Sequence, residues 1–199
     1  GVYIGGLLTS FSNFYDMERI EILRGPQAGL YGRNAVGGAL NITSAKPEFD
    51  QDGYIDVKFG SNGLQEYRGA GNLTLIDDKL AARVSGLYID QSEGDNYVEN
   101  QDLYLDAYEN KSARLRLLYT PTDELEFITT LETFTSSGNL SQTFHAPNSE
   151  GSPLNRFVDS YPGTSEDDTK HLSLNFLPTK ESEQFQFIQE MNWDLGHGT

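Results

Sequence analysis

From Gly53 onward the chain alternates apolar and polar residues in short runs, and this period of two is the strongest constraint on its fold. Ile55, Val57 and Phe59 oppose Tyr54, Asp56 and Lys58. Tyr67, Leu73 and Leu75, with Gly69 and Gly71 between them, oppose Glu66, Arg68, Asn72 and Thr74. Leu80, Ala82, Val84 and Tyr88 oppose Ala81, Arg83, Ser85 and Leu87, and Ala113, Leu115, Leu117 and Tyr119 oppose Arg114, Arg116 and Leu118. Leu125, Phe127 and Leu131 oppose Glu126, Thr130 and Glu132. Two later runs set Leu172, Leu174 and Phe176 against His171, Ser173 and Asn175, and Phe185, Phe187, Met191 and Trp193 against Gln184, Gln186, Glu190 and Asn192. The pattern predicts about seven antiparallel strands of roughly eight to thirteen residues, the length a tilted strand needs to cross a bilayer.

The connections between these runs sort by length. Asp77-Asp78, Pro121-Thr122-Asp123 and Pro178 to Ser182 fall on one side and are short. Ser61-Asn62-Gly63 and two long polar stretches, Gln91 to Asn110 and Ser136 to Thr169, fall on the other. Outer-membrane barrels have this asymmetry, with tight turns at one rim and long loops at the other. Tyr54, Phe59, Tyr67, Tyr88, Tyr119, Phe134, Phe176 and Trp193 lie near strand ends, as interfacial girdles require. A soluble β-sandwich is the competing architecture.

Charge and composition narrow the function. The net charge of −16 opposes nucleic-acid binding, which needs a basic surface. The absence of cysteine removes disulfides and thiolate-ligated zinc. No apolar run approaches the length of a membrane-spanning helix. His145, His171 and His197 have no metal-ligand spacing, and the acidic stretches Asp95 to Glu109 and Glu166-Asp167-Asp168 do not fit an EF-hand. No nucleophile–base constellation stands out, so the chain is expected to be no enzyme and to hold neither cofactor nor metal.

The first 47 residues differ in kind. Arg19, Arg24, Arg33 and Lys46 slightly outweigh Asp16, Glu18 and Glu21, and the glycines Gly25, Gly29, Gly32, Gly37 and Gly38 crowd one stretch. Glu18 to Leu23 reads as a short strand stopped by Arg24-Gly25-Pro26, Gln27 to Gly32 as one helical turn, and Ala39 to Thr43 as a second short strand. Gly37-Gly38 permits backbone conformations closed to other residues. The glycines lack the Lys-Ser/Thr of a phosphate-binding loop, and no long helix follows them.

The motifs in this segment are Glu18-Arg19-Ile20-Glu21-Ile22, Leu23-Arg24-Gly25-Pro26, Leu30-Tyr31-Gly32, Gly37-Gly38, Asn41-Ile42 and Lys46-Pro47. Together they resemble the end of the plug domain of TonB-dependent outer-membrane receptors. The resemblance implies the C-terminal part of an α+β plug over residues 1–47. It implies the N-terminal portion of a large transmembrane β-barrel over residues 48–199, the whole being mostly β and a fragment of a longer receptor. It implies a Gram-negative outer membrane with its lipid, energy from the TonB-ExbB-ExbD complex, and uptake of an iron–siderophore complex or another small nutrient. The plug motif residues are Arg24, Gly25, Pro26, Tyr31, Gly32, Arg33, Gly37, Gly38 and Asn41. Arg24, and less so Arg33, are expected to lock the plug to carboxylates on the polar strand face, with Glu66, Glu126, Glu132 and Glu190 as partners. His145, beside Phe144, is a candidate ligand contact. A passive porin-like or adhesin-like barrel is the alternative within the same architecture.

Overall fold

The computed structural model describes residues 14–25, 38–94, 96–98, 100–139, 171–172 and 179–196; for 171–172 only the backbone is described. All regular structure among them is β, and none of it is a helix long and apolar enough to cross a membrane. Strands β1 (Met17–Arg24) and β2 (Gly38–Ser44) form a two-stranded antiparallel sheet, with Met17 opposite Ser44 at one end and Arg24 opposite Gly38 at the other. These are the two short strands expected from the Gly-rich segment. Gly38 closes the sheet at φ +148°, where an added Cβ would lie 2.6 Å from the Leu23 carbonyl oxygen, so only glycine fits. The helical turn expected over Gln27 to Gly32 lies outside the described residues.

The chain then runs through β3 (Gly53–Phe59), β4 (Gln65–Ile76) and β5 (Leu80–Gln91), the hairpin β6 (Asn96–Val98) and β7 (Leu103–Leu105), β8 (Tyr108–Thr122), β9 (Leu125–Asn139), β10 (His171–Leu172) and β11 (Thr179–Trp193). Six of these form one meander in the order β11-β9-β8-β5-β4-β3, every neighbour antiparallel. The β3–β4 turn uses Asn62 (φ 59°) and Gly63 (φ 66°), a pair suited to the left-handed positions of a tight hairpin.

Two expectations are corrected. Of the alternating run Leu172 to Phe176 only Leu172 is described, and with His171 it forms β10, which pairs in parallel with β6 beside the β6–β7 hairpin; residues 173–176 lie outside the described residues. The short turn expected over Pro178 to Ser182 is also absent, because Thr179–Ser182 already belong to β11 and pair with Ser136–Asn139 of β9. The six sheet strands still keep their loops sorted. The β4–β5 and β8–β9 connections are tight and share one edge, and the long segments 92–107 and 140–178 leave from the other. Pro121 and Thr122 extend β8, leaving Asp123-Glu124 as its turn.

The two faces of the sheet differ as the alternation requires. One is apolar and open: Ile55 is 86%, Phe185 72% and Trp193 62% exposed, with Val57, Leu73, Val84 and Tyr119 on the same side. Its rings meet in rows, Phe59 against Tyr67 and Tyr67 against Tyr88 toward the long-loop edge, Tyr119 on Phe127 toward the tight-turn edge. The other face is covered and largely polar, holding Arg83, Ser85, Ser112, Arg114, Arg116, Thr130 and Glu132, with Ala81, Leu118 and Ile128 as a small apolar cluster. Phe134, expected in a girdle, is instead buried on this inner face, and Tyr54 shares its side. An exposed apolar band backed by a polar interior is the wall of a large transmembrane barrel. Placing a charge on that band tests the assignment. Val84→Arg is expected to cost about 2–4 kcal/mol in the membrane-inserted protein, measured by denaturant unfolding in lipid, with the penalty falling near either rim.

Candidate functional site at the contact of the two sheets

The site lies where the first sheet meets the inner wall, and three arginines build it. Their positions follow from the period of two: Arg83 on β5 and Arg114 and Arg116 on β8 all project inward. The ladder sets Arg83 directly opposite Arg116, Ser85 opposite Arg114, and Arg114 opposite Glu132. Like charges directly across a ladder repel, and all three guanidinium groups are buried. Such an arrangement persists only if something neutralises it.

Asp16 supplies most of that. It sits just before β1 in a left-handed conformation (φ 50°) and is 6% exposed. Arg83 forks onto its carboxylate, Nε to Oδ2 at 2.9 Å and Nη2 to Oδ1 at 2.5 Å. Two parallel charged hydrogen bonds of this kind fix orientation as well as charge. Asp52 adds a second carboxylate at 3.4 Å from Arg83 Nη1.

Tyr15, 1% exposed, lies under Arg114, whose guanidinium is centred 4.5 Å from the ring. The phenol accepts from Ser112 Oγ at 2.8 Å and donates to Glu132 Oε1 at 3.3 Å, and Arg114 Nη2 donates to that same Oε1 at 2.8 Å. Arg114 Nη1 reaches the Tyr15 carbonyl at 3.3 Å. Burial pushes the Tyr15 hydroxyl up to about 12, against the opposing pull of Arg114 and the Ser112 hydrogen bond. Arg116 donates from Nη1 to the carbonyls of Ser44 and Ala45 at 2.8 and 2.9 Å and from Nε to Thr130 Oγ1 at 3.2 Å. Ala45 N–H in turn donates to the Asp16 carbonyl at 2.9 Å. The entry and the exit of the β1–β2 sheet are therefore tied together and to the wall.

The sequence-derived candidates fall elsewhere. Arg24 ends β1 opposite Gly38, and Gly25 follows at φ 86°. Asn41 donates to Glu21 Oε2 at 2.7 Å, a contact within the two-stranded sheet. Glu66 lies 3.7 Å from Lys58 and 3.6 Å from Arg68, Glu126 accepts from Asn192 at 2.9 Å, and Glu190 is exposed on β11. Glu132 alone of the four joins the site, held by Arg114. Pro26, Tyr31, Gly32, Arg33, Gly37 and His145 lie outside the described residues. The expectation set arginines of the first module against acids of the wall. At this contact the polarity is reversed, with the acid on the first module and the arginines on the wall. Tyr15 and Asp16 were missed because they precede the motif run. The sequence places the wall arginines on the polar face but gives no sign of their partners. Among the described residues no group of three metal-ligating side chains occurs.

A barrel wall with a small β module seated on its inner face through polar contacts defines a plugged barrel. The comparisons agree. Residues 1–39 match the family described as TonB-dependent Receptor Plug Domain. The chain is 43% identical over 75 residues to the ferrioxamine B receptor of Salmonella typhimurium, covering 36% of this chain and 10% of that one. It is 29% identical over 110 residues to the ferrioxamine receptor of Yersinia enterocolitica, covering 50% and 15%. The ferric yersiniabactin uptake receptor FyuA from Yersinia pestis superposes with a TM-score of 0.59 at 25% identity, over 62% of this chain and 20% of that structure. The matched stretches thus span 10% and 15% of the two curated relatives. Together these findings support a fragment of a TonB-dependent receptor, a plug segment joined to antiparallel strands of a barrel.

Two outcomes follow from this geometry. Asp16→Asn leaves Arg83 buried and facing Arg116, and is expected to destabilise the plug–wall contact by about 3–5 kcal/mol, measured by hydrogen exchange of the β1–β2 amides. The folded state also favours the neutral Tyr15 phenol. Its contribution is complete below pH 10, the ordinary tyrosine value, and is lost as pH rises through about 12. Exchange at Tyr15 to Arg19 should accelerate over that interval beyond its intrinsic base catalysis, and Tyr15→Phe should remove this extra acceleration.

Proposed function

We propose that this chain belongs to an outer-membrane receptor that takes up a chelated nutrient, an iron–siderophore complex, with energy delivered through TonB. The observation that carries the reading is the plug–wall contact itself. Buried ion pairs and carbonyl contacts seat a small β module on the inner wall as a part separate from the wall strands, and a transporter must displace such a plug before a ligand can pass. The names of the relatives, receptors for ferrioxamines and for ferric yersiniabactin, support iron chelates as the cargo class.

In this reading residues 1–47 are plug and residues 48–199 barrel. Arg24 belongs to a second lock at the far end of β1, with Glu126 and Glu190 as its candidate partners, and Arg33 and His145 enter on sequence alone. The receptor acts in transport rather than catalysis, at the outer membrane of a Gram-negative cell. The test is uptake of radiolabelled ferric ferrioxamine B and ferric yersiniabactin by cells whose only such receptor is the full-length protein. Uptake of one of them, abolished by loss of TonB, is expected. Uptake indifferent to TonB points instead to a passive barrel, and uptake of neither overturns the cargo class.

A further inference from the structure

We propose that Asp52 is a standby counter-ion for Arg83: a wall-held carboxylate that takes over the guanidinium when Asp16 leaves it, and so eases release of the plug segment. This rests on the uptake function proposed above, in which the plug must shift, and gives one residue of the wall a part in that shift.

The placement of Asp52 is the first reason. It immediately precedes β3, and two hydrogen bonds from Asn72 on β4 tie it to the wall. Asn72 Nδ2 donates to Asp52 Oδ1 at 2.8 Å, and the Asn72 amide donates to the Asp52 carbonyl at 2.8 Å. Asn72 is itself buried and lies directly opposite Arg83 in the β4–β5 ladder. The Oδ1 that Asn72 holds sits 3.4 Å from Arg83 Nη1. Asp16 precedes β1 and takes Nε and Nη2 of the same group. One guanidinium thus bridges a carboxylate at the entry of the first sheet and a carboxylate of the wall, through different nitrogens.

The cost of a bare Arg83 is the second reason. Arg116 stands directly across the β5–β8 ladder, and both are buried. Breaking a buried pair is costly because the charge left behind has no partner. Both groups of the Asp16–Arg83 fork are covered at rest, so that cost falls on the step that frees the segment. Arg114 keeps Glu132 of the wall through such a step, at 2.8 Å. For Arg83 the corresponding wall carboxylate is Asp52, and its 3.4 Å contact has room to shorten toward the length of about 2.8 Å usual for charged pairs. A fastener of the plug would be carried by the plug. A carboxylate held by the wall instead competes with Asp16 for the cation.

The sign of the effect tests this. In the full-length receptor, Asp52→Asn keeps an acceptor for Asn72 and removes the competing charge. Hydrogen exchange of the β1–β2 amides is expected to slow about tenfold, the equivalent of one charged hydrogen bond. TonB-dependent uptake of ferric ferrioxamine B or ferric yersiniabactin, whichever the parent takes up, should slow by a similar factor. Binding of that chelate to cells lacking TonB stays unchanged, and Asp52→Glu, which keeps the charge, restores both rates toward those of the parent. Faster exchange in Asp52→Asn makes Asp52 one more fastener and overturns the proposal, as does unchanged exchange or unchanged uptake. Loss of chelate binding marks a structural role and likewise overturns it. Failure of the parent to take up either chelate strikes the functional reading instead, and the exchange measurement still decides whether Asp52 competes for Arg83.

Discussion

The fork between Asp16 and Arg83 is the contact on which the rest of this arrangement depends. The β5–β8 ladder sets Arg83 against Arg116 on a covered face, where repulsion between like charges is poorly screened. Asp16 neutralises the first. The chain around Asp16 turns the Ser44 and Ala45 carbonyls toward the second, through the Ala45 amide bonded to the Asp16 carbonyl. One residue thereby neutralises the first cation with its carboxylate and, through its backbone carbonyl, helps position the partners of the second. Its left-handed backbone, unusual outside glycine and most tolerable for aspartate and asparagine, is compatible with that placement.

This contact makes sense only against the two-faced sheet that carries it. The outward side offers lipid an apolar band bordered by aromatic rings, and the inward side offers polar groups that an apolar plug would leave unsatisfied. A small β module with little core of its own gains its place from those polar groups.

Much of this was legible in the sequence. The alternation placed Val84, Leu115 and Phe187 on one face and Arg83, Arg114, Arg116 and Glu132 on the other, because each depends only on local period. The misreadings have equally local causes. Leu172 opens an alternating run of the wall-strand type, yet the chain at 171–172 pairs with β6. The polar run Thr179 to Glu183 shows no apolar alternation and is a strand only because β9 offers it a continuous ladder. The polarity of the lock was not legible at all. Asp16 and Arg83 are 67 residues apart in the chain, and residue type alone leaves open whether an arginine of the plug seeks an acid of the wall or the reverse.

The central claim is that plug and wall are coupled through Asp16 and Arg83. A double-mutant cycle in the full-length receptor measures it most directly, using Asp16→Asn, Arg83→Gln and the pair, with stability of the β1–β2 sheet read by hydrogen exchange. The account predicts a coupling energy of about 1.5 kcal/mol or more, as for close, desolvated charge pairs. Additivity within about 0.3–0.5 kcal/mol, the behaviour of independent sites, would contradict it.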